Sequence, residues 1–184
     1  MARIDLPDPE NIEGPHAEAV QASKQRWGFV ANIERAFAMW PELAMAEHDL
    51  TDAVMVDGEL DPGLKEAISV VVSQVNACPY CHSHHTFQME QAGRSEAEQR
   101  AINELDFDSL ADPQERAALT FAETVANDPN RVTDDDVTAL REAGFDDREI
   151  LEIVTVIALF MFYNTFTTTL GLEIDSAVQP YRLE

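Results

Sequence analysis

Apolar residues recur along most of this chain at intervals of three and four, which is the spacing of one face of an α-helix. Ile33, Phe37 and Trp40 follow this spacing, and similar stretches continue almost to the end of the sequence. Turn signals typical of β-hairpins are missing, and no convincing alternation of apolar and polar residues occurs. The pattern predicts an all-α fold with roughly eight or nine helices.

Proline and small polar residues mark where these helices begin. Asp61-Pro62 and Asp112-Pro113 each place a capping carboxylate before a proline at the first helical position. Glycines follow several helices, as Gly171 follows the last one. We expect a loose helix from about residue 15 that is interrupted at Gly28. The next helices are expected at about residues 30–39, 41–56, 62–77, 79–91, 95–103, 113–126, 133–144 and 146–170.

The helix that begins at Pro41 carries a set of apolar side chains that we expect to face the core. These are Leu43, Ala46, Leu50, Ala53 and Val54.

Two later segments are more apolar than a surface helix. The run Ile68–Val72 is rich in β-branched residues and could form a strand, but its flanks carry strong helix signals. We therefore predict a helix there. The final helix, from Asp146 or Asp147 to about Leu170, is apolar around almost its full circumference. Such a helix is either buried inside the fold or packed against another subunit.

A weak internal similarity bears on domain organisation. An offset of 83 residues aligns Glu66 with Glu149, but the identity is too thin to establish a repeat by itself. In that alignment Met161 and Asn164 occupy the positions of the two cysteines, so one copy alone would carry the chemistry. We expect an extended N-terminal arm at residues 1–14 and a single helical domain at 15–184, with a cysteine-bearing half at about 41–93 and a degenerate half at about 112–171.

The charge of the chain excludes some classes of partner. It has 35 Asp and Glu residues against 12 Lys and Arg residues, and a net charge of −23. Such a surface repels nucleic acid phosphates and anionic membranes, so we expect neither partner. A solvated acidic shell is the simplest interpretation, and an acidic binding surface for a basic partner is the alternative. The scarcity of lysine also resembles proteins of salt-accumulating halophiles, which predicts a loss of stability when salt is removed.

No targeting segment is visible in the sequence. Residues Met1–Pro7 contain no apolar core of a signal peptide, and the apolar run Ile153–Tyr163 is too short to span a bilayer. We therefore expect a soluble cytoplasmic protein. In that reducing compartment, the C-x-x-C spacing of Cys78 and Cys81 suggests redox or metal chemistry more than a structural disulfide.

The stretch Cys78–His85 holds both cysteines and three of the five histidines of the chain. Because Pro79 disfavours helical geometry at Cys78, we expect Cys78 to cap a helix that ends near Gly93. Cys81 then lies in the first turn, where the helix dipole favours a thiolate. His85 follows one turn later, on the same face as Cys81. This arrangement suits dithiol redox chemistry.

Three other interpretations of this stretch remain open. Residues Cys78–His82 fit the C-x-x-C-H pattern of covalent haem attachment, although that usually requires export. The cysteines and nearby histidines could bind zinc, with His48 or Glu66 as a distant fourth ligand. The cysteines could also be incidental and the histidines solvated.

Glu66, Cys78, Cys81 and His85 together form the pattern E-x11-C-x-x-C-x-x-x-H. In this respect the chain resembles the alkylhydroperoxidase AhpD-like proteins of the carboxymuconolactone decarboxylase superfamily, and in particular their peroxidase-related branch. The resemblance covers about residues 25–175 and includes the motif Trp40-Pro41-Glu42-Leu43 and the run Leu159–Asn164. It implies an all-helical fold with an internal pseudo-repeat, assembled as a homo-oligomer.

The resemblance also implies an activity and roles for the four motif residues. The activity is reduction of hydroperoxides, or thiol–disulfide exchange, through a redox-active Cys78–Cys81 disulfide. Cys81 would be the thiolate that attacks the peroxide, and Cys78 the resolving and more accessible thiol. Glu66 and His85 would form the proton relay that activates Cys81. No bound cofactor or metal is implied, and the electrons would come from an external thiol- or lipoyl-type reductant protein.

One position departs from the pattern of better-studied members, which carry a histidine immediately before the second cysteine. Here that residue is Tyr80, which can donate a hydrogen bond but is not a base near neutral pH. We expect His82 and His84 to be peripheral, so Tyr80, His82 and His84 are accessory candidates. The alternative to an enzyme is an oligomeric protein that senses redox state or binds a small ligand without turnover.

Overall fold

The structure is a computed structural model that describes residues 2–14, 17, 20–21, 24–25 and 28–181. The described residues are helical or irregular and contain no strand, which confirms the predicted all-α fold. The principal helices are α1 (Asn32–Phe37), α2 (Pro41–Thr51), α3 (Pro62–Val75), α4 (Pro79–Gln91), α5 (Glu96–Asn103), α6 (Pro113–Asn127), α7 (Asp134–Glu142) and α8 (Asp147–Leu170).

The first part of the chain is only partly described. Ala17, Val20 and Lys24 are helical, in agreement with a helix from about residue 15, and the rest of that prediction, including Trp27, lies outside the described residues. The N-terminal arm, residues 2–14, is irregular except for a 3₁₀ turn at Pro9–Asn11.

Local capping explains why the helices begin where the sequence predicts. The Asp61 side chain accepts a hydrogen bond from the backbone N–H of Leu64 at 3.1 Å, and Asp112 accepts one from Gln114 at 2.9 Å. These bonds satisfy backbone donors that have no partner inside the helix. At the other end of α8, Gly171 adopts a left-handed conformation with φ 63°, which closes the helix.

Helix α3 lies at the centre of the fold and packs against α4, α6 and α8. Ile68, Val70, Val71 and Val72 are all completely buried on it. The run that could have formed a strand is therefore a helix, because neighbouring helices bury it on several sides and strong helix signals flank it.

Helix α8 is long and apolar enough to cross a membrane by length and composition, but 56% of its most apolar window is buried inside the protein. Burial of this extent is typical of a helix in the core of a folded domain. Ile153, Val156 and Ile157 are fully buried, whereas Leu151, Val154 and Phe162 remain exposed. The helix is thus buried in the fold on most sides and leaves one apolar stripe uncovered.

The predicted core face of α2 is partly wrong. Ala46, Leu50 and Ala53 are exposed, whereas Val54 is buried and Leu43 is half-buried. The inner side of α2 instead carries Glu47 and Thr51, which bind a side chain of α8, as described below. After Thr51 the chain continues as a π-helical turn, Asp52–Val56, which changes the direction of the following side chains.

The N-terminal arm is docked on the end of α8. The guanidinium of Arg3 donates to the carbonyl oxygens of Thr168 and Thr169 at 2.8 and 2.6 Å, and its backbone N–H donates to Leu170 at 2.8 Å. Arg3 therefore satisfies carbonyls of the last turn that have no partner within the helix, and its positive charge suits that end of the dipole.

A buried ion pair joins α3 to α8. The ammonium of Lys65, which is 1% exposed, lies 2.6 Å from a carboxylate oxygen of Glu152, which is 4% exposed. Lys65 also donates to the carbonyls of Val54 and Asp57, and Glu152 accepts from the backbone N–H of Glu59 at 3.0 Å. The pair thereby fixes the loop between the π-helical turn and α3.

Gly58 belongs to this loop and allows the pair to form. A Cβ atom at this position would lie 2.2 Å from the Glu152 carboxylate, and the backbone has φ +125°. A residue with a side chain would therefore clash with Glu152 and strain the backbone.

Candidate active site

Both cysteines lie at the start of α4, as predicted. Cys78 is the N-cap, and its sulfur accepts a hydrogen bond from the backbone N–H of Cys81 at 3.5 Å. Both are free thiols, and their exposed fractions are 0% for Cys78 and 3% for Cys81. Pro79 follows the cap and starts the helix, so the local sequence sets this geometry.

The pKa shifts favour a thiolate at Cys78 and not, as the sequence suggested, at Cys81. A hydrogen bond from the Cys81 thiol outweighs burial and, with the Thr167 and Thr168 hydroxyls, lowers the pKa of Cys78 to about 5. The pKa of Cys81 lies well above its ordinary value. Burial is the main cause, and the neighbouring Cys78 sulfur is the second. The hydrogen bond from the Cys81 side chain, more than the helix terminus, therefore favours a thiolate at Cys78.

Accessibility also differs from the expectation, because Cys78 is not the more accessible thiol. Cys81 lines a cavity that is described below, whereas Cys78 is buried behind it.

Thr167 of α8 lies against both sulfurs and is a residue that the sequence did not identify. Its hydroxyl is 3.1 Å from the sulfur of Cys78 and 3.5 Å from that of Cys81. The same hydroxyl lies 2.8 Å from the carbonyl oxygen of Tyr163. Its one signal in the sequence is a run of threonines in the last turns of an otherwise apolar helix, and that run does not indicate which element α8 packs against.

Glu66 and His85 form the pair that the resemblance implied. A carboxylate oxygen of Glu66 lies 2.6 Å from Nδ1 of His85, which joins α3 to α4. Glu66 is 8% exposed, so its carboxylate lies in the interior beside His85. The ring of Phe160 packs edge-on against His85 at a centroid distance of 4.5 Å. The imidazole is therefore held in a fixed orientation.

Tyr80 and His84 meet at a buried aspartate near the C-terminus. The hydroxyl of Tyr80 donates to Asp175 at 2.7 Å and accepts from the backbone N–H of Ile33 at 3.1 Å. Nε2 of His84 lies 3.1 Å from the same carboxylate oxygen, and the backbone N–H of Asn32 also donates to Asp175. Burial raises the pKa of Tyr80, so its phenol is a hydrogen-bond donor and not a base.

His82 lies apart from the other two histidines of the stretch. It is 3% exposed, and burial lowers its pKa to about 4 against an opposing effect of the Asn103 side chain. His82 is thus a neutral, buried side chain that faces α5, and it is not among the described residues that line the cavity.

The cavity has a volume of about 260 Å³ and brings together side chains from α1, α2, α3, α4 and α8. Cys81, Glu66 and His85 line it, and so do Tyr80 and His84. Its lining also includes Ala31, Ile33, Glu34, Phe37, Glu47, His48, Thr51, Asp52, Met55, Phe160 and Tyr163.

A second polar group in this cavity was not identified from the sequence. The hydroxyl of Tyr163 donates to Glu47 and is hydrogen-bonded to Thr51, whose hydroxyl lies 2.8 Å from the same Glu47 oxygen. Glu34 lies near Glu47. Its burial is the main cause that raises its pKa to about 7, and the charge of Glu47 is the second cause. We call Glu34, Glu47, Thr51 and Tyr163 the acidic group of the cavity.

The zinc interpretation receives no support from this geometry. Within the described part of the chain, no three His, Cys, Asp or Glu side chains are arranged to hold a metal ion. His85 and His84 are each paired with a carboxylate, and His82 lies elsewhere.

Comparison with known proteins agrees with the fold and with the family that the sequence resembles. The model of the carboxymuconolactone decarboxylase family matches residues 35–124, which include all four motif residues. The uncharacterized protein YdfG of Bacillus subtilis (strain 168) is 30% identical over 112 residues, which are 58% of this chain and 73% of that protein.

Solved structures extend the similarity over nearly the whole chain. An uncharacterized peroxidase-related protein from Ralstonia eutropha JMP134, described as an alkylhydroperoxidase AhpD core, is 27% identical with a TM-score of 0.87. The alignment covers 95% of this chain and 93% of that protein. The debrominase Bmp8 in complex with 2,3,4-tribromopyrrole is 23% identical with a TM-score of 0.83, covering 96% and 93%, and shares the fold. The chain belongs to the AhpD-like carboxymuconolactone decarboxylase superfamily.

Proposed function

We propose that this protein is a thiol-dependent oxidoreductase that reduces hydroperoxides or disulfides through Cys78 and Cys81. Family membership and the likeness to peroxidase-related proteins support an antioxidant role. The observation that carries the finer proposal is the cavity in which Cys81 meets the Glu66–His85 pair, with a stabilised Cys78 thiolate directly behind it. An oxidant and the His85 base can thus meet at the Cys81 sulfur in one cavity, with Cys78 next to Cys81 behind the cavity wall.

The first step transfers a proton and forms a sulfenic acid. His85, oriented by Glu66, takes the proton of the Cys81 thiol. The Cys81 thiolate then attacks the outer oxygen of the hydroperoxide, and the O–O bond breaks. The proton held by His85 passes to the leaving alkoxide, which gives an alcohol and leaves Cys81 as a sulfenic acid.

The second step closes the disulfide. The Cys78 thiolate attacks the sulfur of the Cys81 sulfenic acid, and hydroxide leaves and is protonated to water. The sum is two thiols and one hydroperoxide converted to a disulfide, an alcohol and water. The lowered pKa of Cys78 suits this resolving role, because the attacking thiolate is already present at neutral pH.

An external dithiol must then return the protein to its reduced form. We propose a thiol- or lipoyl-type reductant protein for this step, with no bound cofactor beyond the redox-active disulfide itself. A dithiol that must be returned to its reduced form after each turnover suits a reducing compartment, and we propose the cytoplasm.

Thiol titration tests the function directly. The reduced protein is titrated before and after a small excess of cumene hydroperoxide, and its intact mass is measured. Loss of both thiols with loss of two hydrogen atoms supports disulfide formation, and sustained consumption of peroxide with dithiothreitol supports an enzyme. Thiols that survive both hydroperoxide and low-molecular-weight disulfides would contradict the proposal. A single oxidation without turnover would favour the redox-sensing alternative.

Glu66→Gln is expected to lower kcat/KM for hydroperoxide by about a hundredfold, the usual scale for loss of a group that supports general base catalysis. Glutamine keeps a hydrogen-bonding side chain beside His85 but removes the charge that stabilises the imidazolium. The measurement is peroxide consumption as a function of pH.

Glu90→Gln is the matched control, because Glu90 is an exposed acid at the far end of the helix that carries His85. It is expected to leave kcat/KM unchanged. Equal rates for Glu66→Gln and the original protein would remove Glu66 from the relay.

The exposed stripe of α8 suggests how copies of the chain assemble. Leu151, Val154 and Phe162 are 57%, 39% and 42% exposed and lie along one face of α8. We propose that this face packs against a second copy of the chain, since apolar stripes of this kind mark protein interfaces.

Sedimentation velocity is expected to show a dimer or larger assembly that dissociates on Leu151→Asp. Thr120→Asp, which adds the same charge at an exposed position of α6, is expected to leave the assembly intact. A monomeric original protein at micromolar concentration would contradict the interface.

A further inference from the structure

We infer that the cavity selects its oxidant by charge, with Glu34 and Glu47 favouring substrates that carry an ammonium or N–H donor group and disfavouring anionic ones. This inference deepens the proposed function and rests on it, because it names the class of molecule that reaches Cys81. Four observations carry it: the pairing of charges in the cavity lining, the unpartnered state of Glu34, the apolar walls and the cavity volume.

The charges that line the cavity are unequally matched. His85 is paired with Glu66, His84 with Asp175, and His48 lies 3.9 Å from Asp52. Each basic side chain of the lining therefore already has a carboxylate partner. No lysine or arginine is among the described lining residues. Glu34 and Glu47 remain as two acids without a base.

The two acids differ in their hydrogen bonds. Glu47 accepts a hydrogen bond from the hydroxyl of Tyr163, and the hydroxyl of Thr51 lies 2.8 Å from the same oxygen. The side chain of Glu34 has no hydrogen bond or ion pair within the described residues, and it is half-buried in the cavity lining. A carboxyl group that is partly removed from water and has no partner is destabilised, and a ligand that brings a donor or a positive charge offsets that cost.

The pKa of Glu34 is raised, as expected for an acid that is partly removed from water beside a second carboxylate. Burial, followed by the charge of Glu47, raises its pKa to about 7. A cation bound between the two carboxylates would offset both the cost of burial and the repulsion between the acids. An anionic substrate would instead meet like charge in a site of low polarity.

The remaining walls define the rest of the substrate. Ile33, Phe37, Met55 and Phe160 supply aliphatic and aromatic surface, and the cavity volume is about 260 Å³. Phe160 connects the two polar regions, since its ring lies 4.5 Å from His85 and 5.6 Å from Tyr163. A compact organic molecule can therefore place its reactive bond near Cys81 and its donor group near Glu34.

The reaction balances for a disulfide as it does for a hydroperoxide. The Cys81 thiolate attacks one sulfur of the substrate, and the S–S bond breaks to release the first thiolate. Cys78 then attacks Cys81, which forms the internal disulfide and releases the second thiolate. Protons from the thiols convert both products to thiols, so the dithiol protein is oxidised by two electrons and the substrate is reduced by two.

The sharpest test separates access to the cavity from turnover. In the Cys78→Ser background, Cys81 is the single thiol, and methanethiosulfonate reagents attach to it once with release of methanesulfinate. The cationic aminoethyl reagent and the anionic sulfonatoethyl reagent are compared as rate constants measured by intact mass, each divided by its rate with a small model thiol. The ratio of cationic to anionic rates reports the charge preference of the cavity.

We expect this ratio to exceed unity and to fall roughly tenfold in Glu34→Gln and in Glu47→Gln, the scale on which a charged cleft changes encounter rates. Glu42→Gln is the matched control, because it removes one exposed charge from the same helix as Glu47 and changes the net charge equally. It is expected to leave the ratio nearly unchanged. Two separate glutamine variants keep the test informative if one of them folds poorly.

A ratio near unity, or an equal fall in Glu42→Gln, would overturn the inference and assign any preference to the overall charge of the protein. Turnover is measured separately with cystamine and dithiodiglycolate, a cationic and an anionic disulfide of similar size, and cystamine is expected to have the higher kcat/KM. If neither disulfide nor any hydroperoxide is turned over while the reagent ratio behaves as expected, the proposed function fails and the charge selection stands.

Discussion

The Cys81→Ser protein is expected to lose turnover of hydroperoxides and disulfides, with kcat/KM falling about a thousandfold or more. Cys81 is the sulfur that lines the cavity, and no other thiol in the chain can meet an oxidant there, because Cys78 is fully buried. Steady-state peroxide consumption with dithiothreitol as the reductant measures this loss. The serine hydroxyl can still donate to the Cys78 sulfur, so we expect the fold to persist.

Cys78→Ser is the informative counterpart. It should also stop sustained turnover, but it should retain one rapid reaction that converts Cys81 to a sulfenic acid, which dimedone labels. Labelling in Cys78→Ser and none in Cys81→Ser would support the assigned order of attack. The reverse result would make Cys78, the sulfur with the lowered pKa, the attacking thiolate and Cys81 the resolving one.

The Lys65→Met protein is expected to be less stable by about 3–5 kcal/mol, which is the usual consequence of removing one partner of a buried ion pair. Burial alone would raise the pKa of Glu152, but the hydrogen bonds from Lys65 and from backbone N–H groups hold it below its ordinary value. Without Lys65 the carboxylate keeps its position in the core and loses its countercharge. The carbonyls of Val54 and Asp57 lose their donor as well.

Urea unfolding followed by circular dichroism measures this change. Arg141→Met is the matched control, because the Arg141–Asp147 pair has side chains that are 53% and 83% exposed. Such surface pairs contribute only about 0–1 kcal/mol. If the free energy of unfolding changes as little in Lys65→Met, then water or a local rearrangement stabilises the Glu152 carboxylate in the absence of Lys65.

Much of the fold was predictable because its signals are local. The Asp-Pro starts and the glycine stops fix helix boundaries through bonds within four residues, and the structure places α3 and α4 within about two residues of their predicted ends. The inner face of α2 was not predictable in the same way. Its polar side chains face a cavity rather than water, and periodicity cannot distinguish the two surroundings.

The candidate site shows the same division between local and distant information. The pairing of Glu66 with His85 followed from a recognised motif and not from spacing, because the two residues lie on different helices. Thr167 was missed because nothing in its own segment indicates contact with Cys78, which is 89 residues away. The location of the thiolate was reversed because the Cys81 side chain hydrogen-bonds the Cys78 sulfur, a contact between two side chains that the helix dipole alone does not predict.

The Asp175 cluster has a consequence for the order in which the site is completed during synthesis. Asp175 binds Asn32, Tyr80 and His84, and the first of these lies 143 residues earlier in the chain. A nascent chain can therefore form α3 and α4 and carry both thiols before this wall of the cavity exists. Until residue 175 has left the ribosome, Tyr80 and His84 lack the carboxylate that holds them, so this wall of the cavity is completed only near the end of synthesis.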